Sequence, residues 1–347
     1  MSLNPIVLAP NQLHHFYRGG EAIASFRGIP STDDHAPEDW VGSTTTMFGA
    51  DGAGLSALQD GRLLRDAIAA DPVAYLGPAH AAQYGTDPAL LVKLLDAGER
   101  LPVHFHPDEQ FARIHLGLSH GKTEAWVILE TRGEGPAVWL GFREDVELDV
   151  LADWVDRQDH AAMLDALNEL TVGRGDCFFV PAGLPHAIGE GVFFLELQEP
   201  SDLSVLLEWK GFDIDGRRDG HLGLGFDVAL QSARRAAVRA DELAELKRRT
   251  AAAPESRPGA RTLLPAAASS FFRAERLRPA PAVSLEPAFS ILVVVDGEGR
   301  LEAEGGTVTL SRGGALLVPY AAGPGELTGA VEVIRCLPPA RNGDLKP

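Results

Sequence analysis

The chain has 347 residues, more than one hydrophobic core usually organises, so two domains, or one large domain with an appendage, are expected. Its 31 Lys and Arg against 49 Asp and Glu give a formal net charge of -18, which repels nucleic-acid phosphates and anionic lipid and leaves a small molecule as the expected partner. No basic segment followed by an apolar one opens the sequence, and no run approaches the roughly 18 apolar residues of a membrane span, so the expectation is a cytoplasmic protein that engages neither nucleic acid nor membrane.

In chain order, "GRLLRDAIAADPVAYLG" and "PALLVKLLDAGE", within residues 60–99, place apolar residues at helical spacing broken by Asp-Pro pairs, which predicts short helices between loops. The character then changes. Segments 101–106, 123–130, 136–142, 176–181 and 191–198 are short runs rich in Val, Phe, Trp and Leu, punctuated by Gly, Pro and Asp, and predict an antiparallel barrel or sandwich. Between two of them, "DVLADWVDRQDHAAMLDALNEL" has helical periodicity and predicts an excursion outside the barrel. Cys177 and Cys336 lie far apart in apolar segments and form no CxxC pair, so both are expected to be buried thiols.

Residues 241–261 (DELAELKRRTAAAPESRPGAR) begin as a charged helix and end in a Pro, Ser, Gly and Arg cluster, the composition of a linker at about 251–261. The expected units are therefore 1–250 and 262–347. Within them "GRGDCFFVPAGLPHAIGEG" is similar to "SRGGALLVPYAAGPGELTG", as an internal duplication would produce, although His186 of the first copy has no histidine counterpart in the second.

The chemistry concentrates in "LPVHFHPDEQFARIHLGLSHGKTEAWVIL", residues 101–129. Residues two apart on a strand share a face, so His104 projects with His106, and Lys122 with Glu124 on the next strand. Burying these groups is costly unless they are paired or hold a cation. Neutral imidazoles with a carboxylate suit Zn²⁺, Fe²⁺, Mn²⁺ or Ni²⁺, and His186, after the turn "PAGLP", would complete the set. The alternative is a surface His104, a loop-capping His106, and Glu124 paired with Lys122 or Arg113. On "VFFLELQEPSD", Glu196 and Gln198 share one face, either reaching the lumen to hydrogen-bond a bound small molecule or lying on a solvated face.

At these residues the sequence resembles the cupin superfamily, and more closely the type I mannose-6-phosphate isomerase family. The segment "LLVKLLDAGERLPVHFHPDEQFA" is similar to that family's apolar helix leading into its metal-binding strand, "GKTEAWVIL" to its lysine-and-glutamate strand, and "GDCFFVPAGLPHAIGEGVFFLELQEPSD" to its second metal-binding hairpin. "PEDWVGSTTTMFG" resembles an early segment whose tryptophan approaches the active site, which would set Trp40 to stack on a sugar, unless it is simply a core aromatic. The resemblance implies a mainly β protein of two cupin (jelly-roll) barrel units, with helical insertions around the first and no metal in the second. His106, Glu124 and His186 match the family's metal ligands. Position 104 departs from it, since the family usually has glutamine there.

What the resemblance implies is one divalent metal ion, most simply Zn²⁺, and a metal-dependent aldose–ketose isomerase acting on mannose-6-phosphate or a related sugar through an enediol, with Lys122 as acid/base. A non-catalytic sugar-binding or regulatory cupin is one alternative. A cupin oxygenase, which also uses three histidines and a glutamate, is another. A second departure concerns the substrate: where the family typically carries an arginine, "SDLSVLLEWK" has Val205 or Leu206. Arg217, Arg218 or His221 in the adjoining insertion would have to replace it, or remain solvated. The oligomeric state is not legible.

Overall fold

The computed structural model describes residues 2–340. Its strands form three antiparallel sheets, two of which position the histidines. A five-stranded sheet runs in the order Val205–Leu206, His104–Phe105, His186–Ile188, Ala137–Phe142, Leu167–Thr171. A seven-stranded sheet runs Lys247–Arg249, Asp176–Val180, Glu124–Thr131, Val192–Gln198, Leu91–Asp96, Glu38–Val41, Gln12–Leu13. The third, nine-stranded sheet takes the strands from Glu255 onward and, from the N-terminus, Ile6–Val7, which pairs with Leu316 and Leu317. The protein is mainly β with the cupin fold, as expected.

Side-chain alternation explains why the seven-stranded sheet carries polar groups inside. Phe178, Trp126, Glu196, Lys93 and Trp40 are successive cross-strand partners, so their side chains form one row across a single face. Glu124, two residues from Trp126, belongs to the same face. The opposite face is apolar and joins the nine-stranded sheet in one continuous core that includes Val92, Val127, Leu195, Phe272, Ile291 and Ile334. Both cysteines are buried and free.

Three expectations along the chain differ from the structure. The stretch "PALLVKLLDAGE" is a strand, Leu91–Asp96, with all six residues buried; covered on both faces, it reads as a continuous apolar run that periodicity cannot separate from a helix. The helical excursion is present as Leu148–Arg157 and His160–Ala166, but its last residues enter the strand Leu167–Thr171. In the segment expected as a linker, Glu255–Arg257 and Ala260–Thr262 form a hairpin at the edge of the nine-stranded sheet, and Ala260–Thr262 pairs with Arg273–Leu277. Gly259, at φ +76°, supplies the left-handed turn.

Candidate metal centre

His104 and His186 are direct partners across the five-stranded sheet, and His106 follows one residue beyond the same strand as His104. Their ring centroids lie 4.2 to 5.1 Å apart, and one nitrogen from each ring falls within 4.8 Å of the others. From the facing sheet Glu124 approaches, with Oε2 at 3.1 Å from His106 Nε2 and Oε1 at 3.3 Å from His186 Nε2. All four side chains are buried. The loop after His106 returns tightly to Lys122, whose amide donates to the Pro107 carbonyl at 3.0 Å. Gly121 permits that closure, because a Cβ there would stand 2.5 Å from backbone atoms of Asp108 and Glu109.

The hydrogen bonds set the ring tautomers. Nδ1 of His104, His106 and His186 donates to the carbonyls of Pro102, Leu203 and Leu184 at 2.8, 2.7 and 2.8 Å. Each Nε2 then keeps its lone pair and aims it away from the backbone, the arrangement of metal-ligating histidines. Burial pushes His104 down to about 3, with His186 adding to it; burial and Lys122 push His106 down to about 4, and burial does the same to His186, to about 4, against the pull of Glu124. The imidazoles are therefore neutral at physiological pH. Despite its burial, Glu124 is held well below the ordinary carboxylate range by His106 and Lys122.

A cation fits this donor set on the structure's own terms. The Nε2 atoms of His106 and His186 and Oε2 of Glu124 are buried and make no aligned hydrogen bond, although Glu124 lies within 3.3 Å of both rings. The separation is short but the lone pairs converge instead of pairing. Leaving such acceptors unmet is costly, and a divalent ion with affinity for imidazole and carboxylate meets them.

Beside the centre lies a cavity of about 170 Å³, lined among others by His104, Lys122, Glu124, Glu196, Asp202 and Leu206. Lys122 Nζ is 3.4 Å from Glu124 Oε2 and 3.9 Å from Glu196 Oε1. Burial and the nearby Glu124 raise the Glu196 carboxyl well above its usual range. On the far wall Glu38 accepts from Tyr17 Oη at 2.5 Å and Trp40 Nε1 at 2.6 Å, with Lys93 Nζ at 3.0 Å and His15 Nε2 at 3.4 Å beside it as close charges without an aligned hydrogen bond. Lys93 is fully buried, 4.4 Å above the Trp40 ring and 3.7 Å from Asp202. Burial alone would lower its pKa; Glu38, Asp202 and Glu196 reverse this and keep it charged.

The substrate residues expected from sequence divide. Glu196 lines the cavity. Trp40 is fully buried behind Lys93 and Glu38 and is not on the cavity wall, so its indole serves as a donor and a cation platform. Gln198 is fully buried, and its amide donates to the carbonyls of Glu199 and Ser201. Arg217 and Arg218 do not line the cavity: their exposed side chains pair with Asp156 at 3.1 Å and Asp219 at 2.7 Å, and the short helix Gly216–Asp219 packs on Trp209. His221 accepts from the Gly225 amide at 3.0 Å. At the position of the absent arginine Leu206 lines the cavity, and Val205 is buried elsewhere. Sequence reasoning missed Lys93, Glu38 and Asp202. A lysine inside the apolar run "LLVKLLD" was the available signal.

Comparisons with known proteins agree on one relationship. The model of the mannose-6-phosphate isomerase cupin domain matches residues 274–338, strands that do not carry the histidines. Mannose-6-phosphate isomerase ManA of Bacillus subtilis is 28% identical over 251 residues, 71% of this chain and 73% of that protein. The mannose-6-phosphate isomerase of Streptococcus mutans is 29% identical over 218 residues, 60% of this chain and 61% of that protein. The crystal structure of the mannose 6-phosphate isomerase from Bacillus subtilis superposes with a TM-score of 0.75 at 23% identity, covering 96% of this chain and 99% of that one. A putative mannosephosphate isomerase from Archaeoglobus fulgidus gives 0.73 at 21% identity, covering 98% and 100%.

Proposed function

We propose that this relative of the mannose-6-phosphate isomerases is itself a metal-dependent aldose–ketose isomerase acting on a mannose-like sugar or its 6-phosphate. The observation that carries the reading is the position of Lys122, buried on the cavity wall with its Nζ 3.4 Å from the carboxylate of Glu124. A group able to move a proton thus stands next to a site able to hold a cation.

His104, His106, Glu124 and His186 would hold one divalent ion, with Zn²⁺ matching three imidazoles and a carboxylate. When bound, it supplies electrostatic stabilisation to negative charge developing on the sugar oxygens. Isomerisation removes a proton from the carbon beside a carbonyl and returns one to the adjacent carbon, through an enediol. Lys122 is the residue assigned to that transfer. Glu196, kept protonated, can donate to a sugar hydroxyl, and Asp202 can accept from one. The apolar wall of Leu95, Leu101, Pro102, Ile188 and Leu206 excludes water from the reacting carbons.

Among the described residues no guanidinium lines this cavity, and Lys122 is engaged with two carboxylates. A phosphate dianion would lack its usual bidentate partner there, so the free sugar should be turned over at least as well as the phosphorylated one. Assaying a panel of free and 6-phosphorylated aldoses, with and without a chelator, tests the proposal. Among the described residues no helix is long and apolar enough to cross a membrane; a cytoplasmic location remains part of the proposal.

A further inference from the structure

A second, larger cavity of about 330 Å³ lies on the side of the seven-stranded sheet away from the histidines, where that sheet meets the nine-stranded one. Its apolar floor comes from both sheets, from residues such as Val127, Phe193, Val295 and Ile334. Its rim is basic. Five arginines, Arg174, Arg249, Arg276, Arg278 and Arg312, line it against two carboxylates, Glu130 and Glu332. In a chain of net charge -18 this is a local reversal of sign.

The carboxylates do not neutralise the rim. Arg276 and Arg278 share the single carboxylate of Glu332, and Arg249 is drawn to Asp176 at 3.0 Å. Arg174 and Arg312 make no ion pair among the described residues; the Arg312 guanidinium instead rests 5.1 Å from the Phe26 ring. Burial lowers the pKa of Arg276, and the like charges of Arg278 and Arg261 add to it against the pull of Glu332. The cavity has the volume of ordinary small-ligand pockets, and planar donors converging on one space recognise phosphoryl oxygens in bidentate fashion.

We propose that this arginine-rimmed cavity is a binding site for a small phosphorylated metabolite, separate from the metal centre. The phosphoryl group would engage Arg174 and Arg312, and the rest of the ligand would cover the apolar floor. Because the walls belong to two sheets, an occupant clasps them together and raises the unfolding temperature by linkage.

Calorimetric titration of the intact chain at low salt with inorganic phosphate, pyrophosphate and a nucleoside diphosphate tests this, and also tells a bare phosphoryl requirement from one for a phosphorylated organic ligand. Saturable binding of at least one probe is expected, weakened by about tenfold for each guanidinium removed in Arg174→Gln and Arg312→Gln and unchanged in His106→Ala. Both arginines are exposed, and an unfolding temperature without ligand equal to that of the parent protein will establish that the variants fold. The proposal is overturned if no probe binds saturably at millimolar concentration. It is equally overturned if binding survives the double replacement, or if it disappears in His106→Ala, which would assign the anion to the metal centre.

Discussion

His106 Nε2 and Glu124 Oε2 stand 3.1 Å apart, both buried, and neither makes an aligned hydrogen bond. The two atoms come from facing sheets, so the fold itself presses an unprotonated ring nitrogen toward a carboxylate oxygen. That juxtaposition is costly in a dry interior without a cation and favourable with one.

Purified protein should accordingly carry close to one equivalent of divalent metal per chain, with His106→Ala and Glu124→Ala each reducing it sharply. Elemental analysis by mass spectrometry measures this. Double-variant protein as rich in metal as the parent would refute the ligand assignment.

The metal-stripped protein should lose stability on acidification. The histidines of the centre have folded-state values near 3 to 4, below the unfolded value of about 6.5. Between those limits the unfolded chain binds more protons, so stability rises with pH across that window and falls as pH drops through it. Glu124, also depressed, acts in the same sense at lower pH; Glu196, raised, opposes with one proton against three. Urea midpoints at about pH 5 and about pH 7 should therefore differ in favour of the higher pH, and the difference should shrink in a variant with the three histidines replaced by glutamine.

Lys122→Met should lower kcat by roughly 10²- to 10⁴-fold, the usual contribution of a positioned acid or base, with metal content retained and KM little altered. Steady-state kinetics beside metal analysis separates loss of proton transfer from loss of the centre.

Replacing Arg217 and Arg218 together by alanine should leave KM unchanged for free and phosphorylated sugars alike, since both arginines are exposed and pair away from the cavity. Leu206→Arg should lower KM for the phosphosugar relative to the free sugar, because it directs a guanidinium at the wall where Leu206 now lies.

Lys93→Met should destabilise the protein by about 3 to 5 kcal/mol, as removing one partner of a buried ion pair does, because Glu38 keeps its burial and loses its closest cation. Thermal or urea unfolding measures it, and Lys93→Met/Glu38→Gln should recover part of the loss.

The convergence of His104, His106, Glu124 and His186 was legible because strand alternation and a Pro-Gly turn are local signals: "HFH", "KTE" and "PAGLPH" each declare a face or a corner. Leu91–Asp96 was not, since a strand buried on both faces loses its period of two, and with it went Lys93 and the network around Glu38. Gln198 shares the face that the alternation predicts, but alternation says nothing of depth, and it sits, like Trp40, behind the cavity wall. Arg217 and Arg218 misled because proximity in sequence to Leu206 does not carry across the turn at Trp209. The basic cavity draws on residues from Phe26 to Ile334 and has no sequence signature at all.

The central claim is that the buried metal centre isomerises a sugar. Its most direct test is aldose–ketose interconversion followed by nuclear magnetic resonance under strict exclusion of oxygen, on protein stripped with a chelator and then reloaded with Zn²⁺. The account predicts that interconversion of mannose or its 6-phosphate ceases on stripping and returns on reloading. Metal-loaded protein that interconverts no aldose of the panel, or that consumes sugar only when oxygen is admitted, would contradict it.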